Sequence, residues 1–259
     1  MPDFISVLGC RIELTRTGEG PPILFLHAGD GVDPARRLIS QMAKKFEVIA
    51  PSHPGFDGSD LPSHFSTVDD LAYHYMTLME QLDLYDLSIV GCSLGAWIGA
   101  EIAIKSSARI RSLTLINPIG AKFDGREERQ LADVFYYSHR DRRSLLYADG
   151  LSDDRDFALM SEDDVFRFVR NCESFTLFGW SPLLHDPKLR YRLMRIKIPT
   201  MVISGTFDRV ALPPYALAFS EHLLDCEFRS IANVGHYAHD EIPEDLADIV
   251  WEAFNRKKG

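Results

Sequence analysis

Leu87-Ser-Ile-Val-Gly-Cys-Ser-Leu-Gly-Ala-Trp-Ile-Gly-Ala100 joins an apolar run of strand length to a run with helical spacing through Gly91-Cys-Ser-Leu-Gly95. A serine at so sharp a strand-to-helix turn is held in a strained conformation with its hydroxyl exposed. Glycines two residues either side let strand and helix approach closely. The helix that follows turns its positive N-terminal end toward the same point.

Working outward, the chain alternates strand and helix. Apolar runs at Ile23 to Leu26, Phe46 to Ala50, Leu87 to Val90 and Ser112 to Ile116 read as buried strands of a parallel sheet. Helical patterns at Ala35 to Lys44, Val68 to Leu82 and Leu94 to Lys105 separate them. Ile5 to Val7 and Arg11 to Leu14 form an opening hairpin around Leu8-Gly9. After Asn117-Pro-Ile-Gly120 the alternation stops for about 75 residues of amphipathic, aromatic and charged sequence, expected to be a helical insert. It resumes with strands at Thr200 to Gly205 and Glu227 to Ile231 and helices at Pro214 to His222 and Pro243 to Asn255.

Ligand sites in such sheets lie beyond the carboxyl ends of the strands. Three chemically apt residues follow strand-like runs: Ser93, Asp208 after Thr200 to Gly205, and His236 after Glu227 to Ile231. A serine hydroxyl is a weak nucleophile until a histidine takes its proton, and a carboxylate fixes the histidine tautomer and stabilises the imidazolium. Asp124 and His239 are the alternatives for the last two roles. The chain order Ser, Asp, His is the order that a nucleophile elbow on this kind of sheet requires.

With those residues in place, the chain resembles the α/β-hydrolase superfamily in its cap-bearing branch. Ile23-Leu-Phe-Leu-His-Ala-Gly-Asp-Gly31 is similar to the family's strand and His-Gly oxyanion loop, and Ala50-Pro-Ser-His-Pro-Gly-Phe-Asp-Gly-Ser59 to its Pro-Gly-Phe-Gly-x-Ser loop. The resemblance implies a mostly parallel eight-stranded α/β sheet with helices on both faces. It implies a core of residues 1–119 and 196–259 and a helical cap of 120–195, inserted after strand 6. It also implies an oxyanion hole made by the backbone N–H of Leu94 and one from the loop after His27, at Gly29 or, because Ala28 replaces the usual glycine, at Ala28. Haloalkane dehalogenases and epoxide hydrolases of this fold place Asp where this chain has Ser93, so their displacement chemistry is not expected.

The expected activity is hydrolysis of a small carboxylic ester, thioester or lactone through an acyl-enzyme, without cofactor or metal. Phe135, Tyr137, Phe178 and Trp180 of the insert are candidates for an apolar acyl or aryl pocket. A second reading is carbon-carbon bond hydrolysis of vinylogous diketo acids, as in the meta-cleavage-product hydrolases. Arg192 or Arg195 would then hold a substrate carboxylate. Against it stand Tyr237 after the histidine, where those enzymes carry Trp, and Cys92 before the serine, where they carry Asn. A third reading, from another class, is a non-catalytic ligand-binding protein on the same fold.

Composition narrows the partners. A net charge of −10 disfavours nucleic acid and anionic membrane. Cys10, Cys92, Cys172 and Cys226 form no Cys-x-x-Cys pair, which speaks against zinc or redox motifs. The opening residues carry no basic and apolar leader pattern, so a cytoplasmic protein is expected, with a homodimer left open.

Overall fold

The computed structural model describes residues 3–125, 127–151 and 156–256. The first two residues, on which part of the leader reading rests, and residues 126 and 152–155 of the insert lie outside it. Eight strands form one sheet: β1 (Asp3–Val7), β2 (Cys10–Thr17), β3 (Pro22–Leu26), β4 (Glu47–Pro51), β5 (Leu87–Cys92), β6 (Ile110–Ile116), β7 (Thr200–Gly205) and β8 (Cys226–Ile231). Their spatial order is β1-β2-β4-β3-β5-β6-β7-β8. The hairpin β1–β2 and the β2–β4 pair are antiparallel, and every other pair is parallel.

All six residues of β5 are buried, as are all six of β7. Successive strand side chains point to opposite faces, so burial without alternation means that both faces of the sheet are covered. The cover comes from α1 (Arg36–Met42), α2 (Val68–Gln81) and α3 (Leu94–Lys105) in the first half of the chain. In the second half it comes from α7 (Pro213–Glu221), the short α8 (Ala238–Glu241) and α9 (Pro243–Asn255), with α4 (His139–Leu146), α5 (Glu162–Gly179) and α6 (Leu189–Arg192) between the halves. The α1 helix packs on α9 and α2 on α3, while α3 and α7 lie against the strands. The α3 helix is buried from Leu94 to Ile104, which accounts for its lack of an amphipathic pattern. Thr67 and Asp70 close the start of α2 in a reciprocal capping box.

The insert is less helical than its sequence suggests. Among the described residues no helix occurs between Gly120 and Ser138. That stretch instead makes bridges from Gly120 to His185 and from Leu131 to Ala211. Ala132 N–H donates to Val210 O, and a left-handed Gly120 turns the chain away from β6. The remainder carries α4, α5 and α6. On α5 the buried residues Asn171, Ser174, Phe175 and Phe178 recur at helical spacing. Among the described residues no helix is long and apolar enough to cross a membrane.

Candidate active site

Ser93 is the single residue between the last residue of β5 and the first of α3. Its backbone sits at φ +51°, a left-handed conformation that costs a non-glycine residue about 1–3 kcal/mol. The tight turn explains the flanking glycines: a Cβ on Gly91 would strike the Gly95 carbonyl, and one on Gly95 would strike the Leu26 carbonyl. The Ser93 N–H donates to Ile116 O at 3.0 Å, tying the turn to the end of β6.

The loops after β7 and β8 bring the other two residues to the serine. His236 Nε2 lies 2.8 Å from Ser93 Oγ, and His236 Nδ1 lies 2.8 Å from Asp208 Oδ2. The three are 4%, 2% and 2% exposed, so little water competes for these bonds. Asp208 Oδ1 accepts the N–H groups of Val210 and Ala211, both at 2.8 Å, which turns Oδ2 toward the imidazole. With Oδ2 accepting from Nδ1–H, Nε2 is left to accept the serine proton. Asp124 does not compete with Asp208, because it borders a separate cavity beside Lys122 and Arg190. His239 is buried against Tyr237 rather than at the serine, and burial lowers its pKa to about 3. Burial pushes the Cys92 thiol up, so it is no rival nucleophile.

One residue at the site was missed by sequence reasoning. Asn117, fully buried and at φ +44°, ends β6 and staples both neighbouring loops. Its Nδ2 donates to the carbonyls of Gly235 (3.0 Å) and His236 (2.7 Å), and its Oδ1 accepts Gly205 N–H (2.9 Å). The available signal was Asn-Pro directly after a strand, where Asn tolerates a left-handed turn.

Leu94 is the first residue of α3, so its N–H has no partner within the helix. Gly29 is buried and borders the crevice at Ser93 and His236, and its N–H has no partner among the described residues. The Phe175 ring occupies the space that a Cβ on Gly29 would need, 2.7 Å from it. Ala28 is also buried but does not line this crevice. The crevice holds about 10 Å³, room for at most a single water. Phe175, Leu184, Val134 and Leu146 of the insert close it from above.

The pocket residues expected from the sequence lie elsewhere. Phe135, Tyr137 and Trp180 line an outer cavity of about 440 Å³, and Tyr137 and Trp180 are largely exposed. Phe178 and Arg192 line a different cavity of about 420 Å³, where Arg192 pairs with Asp186 at 3.1 Å. Arg195 is exposed. Two causes act: Phe135 and Tyr137 fall in the non-helical stretch, where no period fixes a direction, and on the insert helices only one stripe faces the core, which aromatic letters alone do not identify. The stripe instead delivers Phe175 and, from α4, Arg142. Arg142 is 8% exposed and donates through Nη2 to Asp30 Oδ1 at 3.3 Å. It borders the Ser93 crevice, the outer aromatic cavity and a polar cavity of about 400 Å³. No cluster of three or more His, Cys, Asp or Glu side chains suited to a metal occurs among the described residues.

Comparison with known proteins agrees with this fold. Residues 21–243 match the family model described as the alpha/beta hydrolase fold. The chain is 23% identical to a 2-hydroxy-6-oxo-6-(2'-aminophenyl)hexa-2,4-dienoic acid hydrolase of Metapseudomonas resinovorans, over 98% of this chain and 91% of that one. It is 24% identical to a 2-hydroxymuconate semialdehyde hydrolase of Pseudomonas sp. strain CF600, over 95% and 91%. Among solved structures, a meta-cleavage product hydrolase from Pseudomonas fluorescens IP01 superposes with a TM-score of 0.80 at 22% identity, covering 98% of this chain and 97% of that one. The chain belongs to the alpha/beta hydrolase fold family.

Proposed function

We propose that the protein hydrolyses a small carbonyl substrate through a serine-bound acyl intermediate, with a carboxylic ester, thioester or lactone as the leading substrate class. The observation that carries the reading is the unbroken line from Ser93 Oγ through His236 to Asp208, 2.8 Å at each step and closed to solvent. In the proposed reaction Ser93 Oγ attacks the carbonyl carbon as its proton passes to His236 Nε2. The resulting oxyanion receives the N–H groups of Leu94 and Gly29, each worth about 3 kcal/mol to the transition state. His236 then protonates the departing alkoxide or thiolate. A water deprotonated by the same nitrogen next attacks the acyl-enzyme and regenerates the serine. Residues 120–195 act in this scheme as a cap. Since the crevice holds about 10 Å³, the Phe175 side chain or the α5 helix that bears it must move aside for substrate.

A second reading is favoured by the two relatives, both named as hydrolases of dienoic or muconate-type compounds. Here Ser93 attacks a ketone, and the group expelled is a stabilised carbanion that takes a proton on carbon. Arg142, rather than Arg192 or Arg195, is then placed to meet a substrate carboxylate at the crevice.

Mass spectrometry after treatment with a fluorophosphonate probe tests the common core of both readings, with the adduct expected on Ser93 of folded protein only. Competition with p-nitrophenyl esters, lactones and dienoates then separates them. Labelling elsewhere, or of denatured protein alone, overturns the serine mechanism. Tight ligand binding without any turnover would mark a non-catalytic binding protein instead.

A further inference from the structure

Behind the oxyanion loop lies a buried chain of three polar side chains that the reaction scheme does not use. The rings of His27 and His53 stack with centroids 3.6 Å apart, and both are fully buried, as is Tyr75. Each hydrogen bond in this chain dictates the next. The backbone N–H of His53 can only donate, and it donates to His27 Nε2 at 2.8 Å. In a neutral ring that leaves the proton on Nδ1, which donates to the carbonyl of Ala28 at 2.6 Å. His53 Nε2 faces the carbonyl of His27 at 2.9 Å and must therefore carry the proton there, so His53 Nδ1 accepts from the Tyr75 hydroxyl. Burial lowers both imidazole pKa values, that of His53 strongly and with help from the neighbouring His27. Asp57 and, more weakly, Asp30 favour a charged His27, but Asp57 is already held by Ser52, Asn171 and the Val32 N–H.

The Ala28–Gly29 peptide is trans, so its C=O and N–H point in opposite directions across one rigid plane. Holding the Ala28 oxygen against His27 sends the Gly29 N–H to the other side, where Gly29 borders the crevice beside Ser93. We infer that His27, oriented by His53 and Tyr75, is a positioning residue that selects the Gly29 amide, not the Ala28 amide, as the second oxyanion donor. The inference rests on the serine-hydrolase reading but makes a separate claim about tautomers.

Long-range 1H–15N NMR reads those tautomers without turnover: Nδ1–H for His27 and Nε2–H for His53 are expected at neutral pH. The opposite pair, or charged rings, overturns the proposal. Kinetically, His27→Phe should lower kcat about 100-fold, the cost of a lost oxyanion donor, while KM moves less than about threefold. Affinity for a trifluoromethyl ketone, whose adduct places an oxyanion in the hole, should fall by the same factor as kcat. His27→Asn, which offers an N–H near the position of Nδ1, should recover at least about tenfold of kcat, and Tyr75→Phe should cost about three- to tenfold. An unchanged kcat in folded His27→Phe, or a loss expressed only in KM, overturns the positioning role. Should His27→Phe fail to fold, Tyr75→Phe and the tautomer measurement decide. Absence of fluorophosphonate labelling in the unsubstituted protein would count against the hydrolase reading instead, leaving the tautomers to be judged separately.

Discussion

Around Ser93 two regions meet that are held together by different means. The loops after β5, β6, β7 and β8 are tied to one another largely through backbone groups: Ser93 N–H to Ile116, Asn117 to Gly205, Gly235 and His236, and Asp208 to Val210 and Ala211. The insert lines the same crevice chiefly with the side chains of Phe175, Leu184, Val134 and Arg142, and only a few backbone bonds, Ala132 N–H to Val210 O and Tyr237 N–H to Leu146 O among them, tie it there. It is held by a polar latch in which Asn171 bonds to Asp57 and to the Asp30 carbonyl, and Ser174 to the Gly55 carbonyl. Directional hydrogen bonds fix the loops that carry Ser93, Asp208 and His236, whereas the apolar side chains that the insert lays over them can be exchanged without disturbing those bonds. The difference separates chemistry, set by the core, from selection, set by the insert.

Changes in the core should therefore affect all substrates alike, whereas changes in the insert should reorder them. The largest effect is expected from Ser93→Ala, a loss of kcat of about 1000-fold or more on every ester tested, with stability unchanged or raised as the left-handed strain is moved to a smaller residue. Substrate-dependent losses would break the comparison. Next comes Asn117→Ala, which strands a buried N–H and two buried carbonyls. It should lower unfolding free energy by about 3 kcal/mol in urea titrations and reduce kcat for all substrates together.

Acid sharpens the comparison from the core side. Burial holds His74 at a pKa of about 4 and His239 at about 3, while both return to the ordinary 6.5 when the chain unfolds. On unfolding these two histidines alone take up as many as two protons between those limits, and His27 and His53, also lowered by burial, add to the uptake in the same direction. Their contribution to stability is complete only well above pH 6.5 and falls with decreasing pH, by about 2.3 kcal/mol per unit for the pair between pH 6 and 4.5. His74 Nε2 has no hydrogen-bond partner among the described residues, so His74→Phe should keep the fold and lower the slope by about 1.1 kcal/mol per unit in urea titrations at successive pH values. The smallest effect is expected from Phe175→Ala, which uncovers Gly29 and Ser93. It should raise kcat/KM for bulky aryl esters about tenfold relative to acetate. An equal change for both would show that Phe175 belongs to the core's rigid frame.

How much was legible follows the same division. The α3 and α9 boundaries and the strand preceding each site residue could be read because parallel strands buried on both faces are written as unbroken apolar runs, and the loops after them hold the polar chemistry. The insert was legible as a departure from that grammar but not in detail. Among the described residues its stretch from Gly120 to Ser138 lacks helix, and Tyr137, Trp180 and Arg192 line other cavities, while Phe175 and Arg142 line the crevice at the serine. Asn117 escaped notice because three partners distant along the chain give it meaning, and no local pattern records them.

By itself the sequence determined the order of strands and helices along the chain, the strained serine turn and the identity of the three side chains that meet in one hydrogen-bonded line, since these rest on local sterics and on periodic burial. Only the tertiary structure decided which residue of the loop after His27 borders the crevice, which partner each imidazole nitrogen faces and which face of each insert helix meets the serine. Those depend on hydrogen-bond partners and helix rotations set by residues far apart in the chain, where side-chain type alone carries no direction.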